Sequence, residues 1–454
     1  MENEDEGSPR LPYIWLVFGV AALAAISNDF GPLILQRLTA IEDAPAAPVL
    51  AALALFAVCS FISFYATRGT PLPSFVVAIA LGIAGHTLFA PIVANPVALA
   101  SLVTGSAAII LFSGGLEMPL RDFLRLFVKI ALLAVPGVLI TGFAFSWVLA
   151  NLATTLGFAV APAVVILLGA ILASTDPAAI IPVLEKVRFK RRATKDLVVA
   201  ESALNDVAGA LLTTVFLGLP LAGLTLVAAY RALDTPQTYR FLAEQAAYGA
   251  LFGLAGFAAL WLLARIKRKH AVRYGADQVY FLGVPLVTFA AATAFGGSGF
   301  LAAFLAGLLF HSEAHMKEIE HFFYQVIDGI AKPVIFLLVG ALVDIHALVA
   351  YAPLGIAAAL VFMFVIRPAM VFLMLGAYRL MPNSPRGLSL GELLFISFVR
   401  ETGAIPAVLL VTAVARMTTP VAGLVEIGMW VILLTLVIAP PLTPWVARKL
   451  GVAD

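Results

Sequence analysis

The chain has 454 residues, of which 62% are hydrophobic and 12% charged, with a mean hydropathy of +1.04. Soluble domains carry about 45–50% apolar and about 25% charged residues, so this composition excludes a water-soluble globular protein. The net charge of +2 gives no reason to expect a nucleic-acid partner, and the single cysteine, Cys59, excludes a disulfide framework and a thiolate metal site. The N-terminal MENEDEGSPR is acidic and lacks the basic n-region of a signal peptide. After it, apolar runs of about 18–20 residues or more recur to the end, which predicts an all-α polytopic membrane protein of about 13–14 transmembrane helices. The candidate spans are 12–28, 46–67, 72–91, 96–118, 123–151, 157–184, 195–230, 240–266, 276–295, 297–312, 322–345, 347–378, 388–416 and 422–447. The seventh is overlong, and Pro220 is placed to end it early.

The basic residues orient these spans. Arg10, Arg68, Arg121, Arg125, the run Lys186/Arg188/Lys190/Arg191/Arg192/Lys195, then Arg265/Lys267/Arg268/Lys269/Arg273, Lys317, Arg379, Arg386, Arg448 and Lys449 fall on the even loops and both tails. Only Arg37, Arg231, Arg240 and Arg416 fall on the odd loops. The positive-inside rule then puts both termini in the cytoplasm. Lys129, Lys332, Arg367 and Arg400 remain within spans. Lys129 is close enough to a span end to snorkel; the other three lie deeper, where a charge is costly and marks a functional candidate facing a partner or a cavity.

Two segments repeat a pattern. TDPAAIIPVL (175–184) in the sixth span and RETGAIPAVLL (400–410) in the thirteenth each set a charged residue before a helix breaker and an AI-P-VL tail. They lie seven spans apart, so they run in opposite directions. The expected organisation is an N-terminal tail and extra first span (1–45), a first inverted repeat (46–230), a linker helix with a basic loop (231–275) and a second inverted repeat (276–454). Interrupted helices at matching positions point to a transport site near the midplane.

The stretch VVAESALNDVAGALL (198–212) places Glu201, Ser202, Asn205 and Asp206 in one apolar run. Glu201 stacks on Asn205 and Ser202 on Asp206 at i, i+4, making one polar patch. At about 1.5 Å per residue from Lys195, Asp206 lies about 16 Å deep. A carboxylate there takes a proton or a cation, since burial favours the neutral acid and a bound cation favours the anion. Ser174, Thr175, Asp176 and Pro177 offer further oxygens, because Pro177 donates no hydrogen bond and biases Asp176 away from helix. Arg400 lies about 18 Å into its span by the same rise. Its candidate partners are Glu201 and Glu401. A Glu201 pairing would make Glu201 a structural counterion and leave Asp206 as the exchangeable acid. Arg367-Pro368 reads as a buried structural ion pair whose acid the sequence does not identify. His311 and His315 at i, i+4 read as a solvated helix end, and the KVRFKRRATK run (186–195) as a topology signal that could also bind anionic lipid headgroups.

With TDP in one helix, ESALND in the next and an arginine followed by GAIP late in the chain, the sequence resembles the monovalent cation:proton antiporters of the sodium/proton exchanger branch. LFSGGLEMPL (111–120), SGFLAAFLAG (298–307) and FLLVGALVD (336–344) also look like family segments. The resemblance implies inverted six-helix repeats with two crossing broken helices, and a homodimer. It implies that Asp206 carries proton or cation, that Asp176, Thr175 and Ser202 line the site, and that Glu201, Asn205 and Arg400 form a polar cluster beside it. The Asn205-Asp206 pair resembles the electroneutral branch. Two departures make candidate modulators, with Arg367, of Lys332 and Glu401: Glu401 separates Arg400 from the family's usual glycine, and Lys332 either reaches Asp206, as a lysine does in electrogenic relatives, or snorkels. The expected activity is exchange of Na+ or Li+ for H+ by alternating access in a bacterial inner membrane, without a cofactor and without enzymatic chemistry. Potassium/proton exchange on the same machinery and a cation channel are the alternatives.

Overall fold

The structure, a computed structural model, describes residues 13–40, 46–67, 73–175, 181, 183–185, 187–270, 276–310, 317–380, 387–417 and 421–454, with the side chains of 13–15, 268–270, 276 and 318 left aside. A backbone in lipid must satisfy its polar groups internally, so the apolar runs are helical, and no strand forms among the described residues apart from an isolated bridge between Phe189 and Ala453. In chain order the helices are α1 (Tyr13–Ala25), α2 (Gly31–Thr39), α3 (Ala47–Thr67), α4 (Ser74–Ala84), α5 (His86–Val93), α6 (Pro96–Leu116), α7 (Leu120–Ala134), α8 (Pro136–Thr155), α9 (Pro162–Leu172), α10 (Arg192–Leu217), α11 (Leu226–Arg231), α12 (Pro236–His270), α13 (Ala276–Ala294), α14 (Gly299–Leu309), α15 (Lys317–Val326), α16 (Lys332–Ala341), α17 (Ile345–Ala350), α18 (Ala352–Val361), α19 (Arg367–Leu375), α20 (Leu390–Phe398), α21 (Ala404–Arg416) and α22 (Leu424–Lys449).

Among the described residues, 9 helical runs are long and apolar enough to cross a bilayer, and α4 with α5 makes a further one bent by 89°. The shorter apolar helices α9, α14 and α21 and the 19-residue α13 complete the pattern. Each span expected from the sequence coincides with one of these helices, so the chain is a multi-pass membrane protein. One boundary differs from expectation and one follows it. The first span does not stop at 28 but continues through Asn28 and Asp29 to Thr39, because Ile26–Phe30 stays helical in a widened π turn. The seventh ends at Leu217, three residues before Pro220, and α11 is a separate short helix.

The π turns have one cause. Ile26–Phe30, Ile327–Ala331 and Phe362–Ile366 each run into an X-Pro pair: Gly31-Pro32, Lys332-Pro333 and Arg367-Pro368. Proline in a helix removes a donor and presses on the carbonyl four residues back. Widening the turn accommodates the ring without ending the helix. The Lys332 N–H thus donates to the Ile327 carbonyl, and the Arg367 N–H to the Phe362 carbonyl, each five residues back.

The helices interrupted at membrane depth meet in the middle of the molecule. α9 ends at Leu172 and gives way to non-helical Ser174 and Thr175, with helix again at 181 and 183–185. α20 and α21 are separated by non-helical residues 399–403. α9, α10 and α21 pack on one another, α21 also packs on α6, and α6 packs on α14. That last contact is backbone to backbone: a Cβ at Gly115 would strike the Phe304 carbonyl, and one at Gly307 the Phe112 carbonyl. Gly115→Val or Gly307→Val is therefore expected to lower the melting temperature in detergent, overpacking costing about 1–3 kcal/mol. Gly283→Ala, whose Cβ meets nothing within 4 Å, should not lower it.

Candidate functional site

Glu201, Ser202, Asn205 and Asp206 lie on α10 and are all buried, Glu201 at 0% and Asp206 at 1% exposure. The helical spacing sets them toward the break after α9. The Thr175 hydroxyl donates to Ser202 Oγ at 3.2 Å, and Asn205 Nδ2 donates to Thr175 Oγ1 at 3.2 Å and to Glu201 Oε1. Gly209, a turn beyond Asp206, lets α10 approach Ser174 so closely that a Cβ there would clash with its side chain. The structure thus brings Thr175, Ser202 and Asn205 into one hydrogen-bonded group next to Asp206. Asn205 Oδ1 is buried and accepts no hydrogen bond among the described residues, an orphaned acceptor of the type a hard cation would use. Asp176 and the pair His311/His315 lie outside the described residues.

The buried ion pair differs from one of the two pairings weighed for Arg400, that with Glu201. Glu201 is met by Arg367, at 0% exposure: Nη1 reaches Oε1 at 2.8 Å, Nη2 reaches Oε2 at 3.0 Å, and Nη2 also donates to the Ile396 carbonyl at 3.3 Å. This supplies the acid that the sequence could not assign to Arg367. The physical reason is the π turn before Pro368, which sets Arg367 on the face that meets α10, while two parallel N–H groups match the two carboxylate oxygens. Arg400 instead donates through Nη2 to the Leu172 and Ala173 carbonyls, at 3.0 and 2.8 Å. These carbonyls lose their helical donors where α9 stops, so the guanidinium caps the broken end. Its carbon lies 4.5 Å from the Phe362 ring centroid, within cation–π range. Glu401 is 2% exposed in the same break, and Thr402 beside it is held by Thr435, whose Oγ1 accepts from the Thr402 N–H at 3.2 Å.

Lys332 lies within reach of a carboxylate on its own helix, which the sequence did not single out. Its Nζ meets Asp328 Oδ1 at 2.7 Å. Both line a cavity of about 320 Å³ together with Ser113, Glu117, Ile181, Glu185 and Tyr324. Glu117, Glu185 and Asp328 drew no attention in the sequence because they come from three separate segments, and no spacing joins them. Ile181 and Glu185 follow the first break, so this acid-lined vestibule lies beside the C-terminal part of that interrupted helix.

The family profile described as "Sodium/hydrogen exchanger, transmembrane" matches residues 51–449. The K(+)/H(+) antiporter NhaP of Alkalimonas amylolytica is 32% identical over 337 residues, 72% of this chain and 52% of that protein. The Na(+)/H(+) antiporter 1 of Methanocaldococcus jannaschii is 27% identical over 306 residues, 60% of this chain and 65% of that protein. The chain spans about half the length of the first of these curated relatives. The structure of the sodium proton antiporter MjNhaP1 from Methanocaldococcus jannaschii shares the fold, with a TM-score of 0.62 at 22% identity over 89% of this chain and 99% of that one.

Removing one member of a buried pair strands the other charge, at about 3–5 kcal/mol. Glu201→Ala and Arg367→Ala should therefore each lower the melting temperature strongly, and the double variant should be less destabilised than the sum of the two. Additive losses in detergent melting would remove the pairing from the stability of the fold.

Proposed function

The chain belongs to the sodium/hydrogen exchanger transmembrane family, and we propose that it is a secondary active transporter exchanging Na+ or Li+ for H+, one for one, by alternating access. The observation that carries this reading is the group at the first break: Asp206, Ser202, Asn205 and Thr175, buried together where two interrupted helices meet. A carboxylate at that depth binds a proton or a hard cation, and the two compete for the same oxygens. Asp206 is the group they share. Ser202, Thr175 and Asn205 Oδ1 add neutral oxygens, with Asp176 adjoining Thr175 in sequence. Glu201, bound by Arg367, holds Asn205 in place. The polar cluster of Glu201, Asn205 and Arg400 is then the frame of the site, and Lys332, Arg367 and Glu401 modulate it.

The vestibule of Glu117, Glu185 and Asp328 concentrates cations on the side of the C-terminal half of the first interrupted helix. In the expected topology that side is cytoplasmic, in a bacterial inner membrane, and the protein is a homodimer. Alternating access follows if the elements bearing the two breaks move as a body against α12–α16, closing the vestibule while opening a path to the other face. One Asp206 charge neutralised either by one proton or by one monovalent cation makes the exchange electroneutral.

Potassium/proton exchange is the second reading, favoured by the name of the 32% identical relative, a K(+)/H(+) antiporter. Dye-monitored proton flux in proteoliposomes decides between them. Na+ and Li+, and not K+, are expected to drive proton movement in the wild type, at a rate indifferent to a clamped membrane potential. Asp206→Asn is expected to abolish that flux while the protein still folds. Robust exchange by the Asp206→Asn variant would overturn the assignment of the carrier, and cation flux without coupled protons would make the protein a channel.

A further inference from the structure

The second break carries an acid that the exchange step leaves unused. Glu401 follows Arg400 in the non-helical segment 399–403 and is 2% exposed. Arg400 is itself 2% exposed, donates only through Nη2 to the Leu172 and Ala173 carbonyls, and has no acceptor for Nε or Nη1 among the described residues. Glu201, one of its two candidate partners, gives both carboxylate oxygens to Arg367. A full positive charge at membrane depth thus rests on carbonyls one to three residues before Ser174 and Thr175, the segment against which α10 sets Ser202 and Gly209 on either side of Asp206. Such a charge, left alone, would hold Asp206 ionised and repel the cation it is meant to bind.

The charged groups around this region can be summed. Glu201 on α10 and Arg367 on α19 cancel. Lys129 on α7 stacks over the Tyr378 ring at 4.9 Å. Asp176 adjoins Thr175 in sequence. Arg400 and Glu401 are adjacent in the chain and buried in one break. If they also cancel, Asp206 is neutralised by one proton or one monovalent cation.

We propose that Glu401 is a positioning residue that offsets the charge of Arg400 and thereby sets the pH range over which Asp206 trades a proton for a cation. The proposal rests on the antiport reading above. It explains why an acid can stand directly after the arginine in RETGAIP without emptying the site of its capping charge.

The test is Glu401→Gln in proteoliposomes, with pH profile and cation affinity as readouts. Removing the negative charge that offsets Arg400 disfavours both proton and cation at Asp206. The pH of half-maximal exchange should fall by about one unit and the apparent KM for the cation should rise about tenfold. Glu401→Asp keeps the charge and should keep the wild-type profile. Arg400→Gln/Glu401→Gln removes both charges and should return the profile toward the wild type. A Glu401→Gln protein with an unchanged profile and KM, or a double variant as shifted as the single, overturns the proposal. If Glu401→Gln does not fold, the double variant against Arg400→Gln gives the same comparison, with Arg400→Gln expected to shift toward higher pH. Cation-dependent thermal stabilisation of each variant against pH reads the site without requiring transport. Loss of wild-type proton flux would therefore sink the antiport reading, whereas a missing Glu401 effect on cation stabilisation sinks only this inference.

Discussion

Glu201 and Arg367 lie at full burial, joined at 2.8 and 3.0 Å through both carboxylate oxygens. Each charge alone would cost several kcal/mol to desolvate, and the bidentate geometry offsets this by matching two donors to two acceptors. The pair ties α10 to α19, and the Ile396 carbonyl draws in α20. Through Glu201 it also orients Asn205, and through Asn205 the Thr175 hydroxyl. The Asn205 and Thr175 side chains thus inherit their positions from one ion pair.

The second constraint is the unsatisfied backbone left where the helices break. A helix end buried away from water must find partners for its last carbonyls. At the end of α9 the partner is Arg400, a side chain from the other break. Each interruption therefore stabilises the other. The Thr402 and Thr435 hydroxyls, hydrogen-bonded to each other, hold the second break against α22. Non-helical backbone survives at membrane depth because it is surrounded by protein groups and not by lipid.

Proline placement controls which charges face inward. In both Lys332-Pro333 and Arg367-Pro368 the residue before the ring is basic and follows a π turn. The same local device serves two purposes: it seats Arg367 against Glu201 in a closed core, and it sets Lys332 beside Asp328 at the wall of an acid-lined cavity. What differs is the neighbouring helix, and with it the dielectric surroundings of the charge.

The sequence by itself determined much of this protein. Apolar run length is dictated by bilayer thickness, so the spans were legible, and proline and glycine next to charge marked both breaks. The i, i+4 stacking of Glu201 on Asn205 and Ser202 on Asp206 was legible too, since it needs only helical periodicity. Pairings between distant helices were not. Depth alone placed Arg400 level with Glu201, yet depth does not say on which side of a helix a neighbour stands, and Arg367 stands closer. Only the tertiary structure decided that Arg367 takes Glu201, that Arg400 caps α9, and that Lys332 shares a cavity with Glu117, Glu185 and Asp328. These contacts depend on the rotation and packing of segments up to 228 residues apart, which close backbone contacts such as Gly115 on Phe304 set and no local pattern encodes.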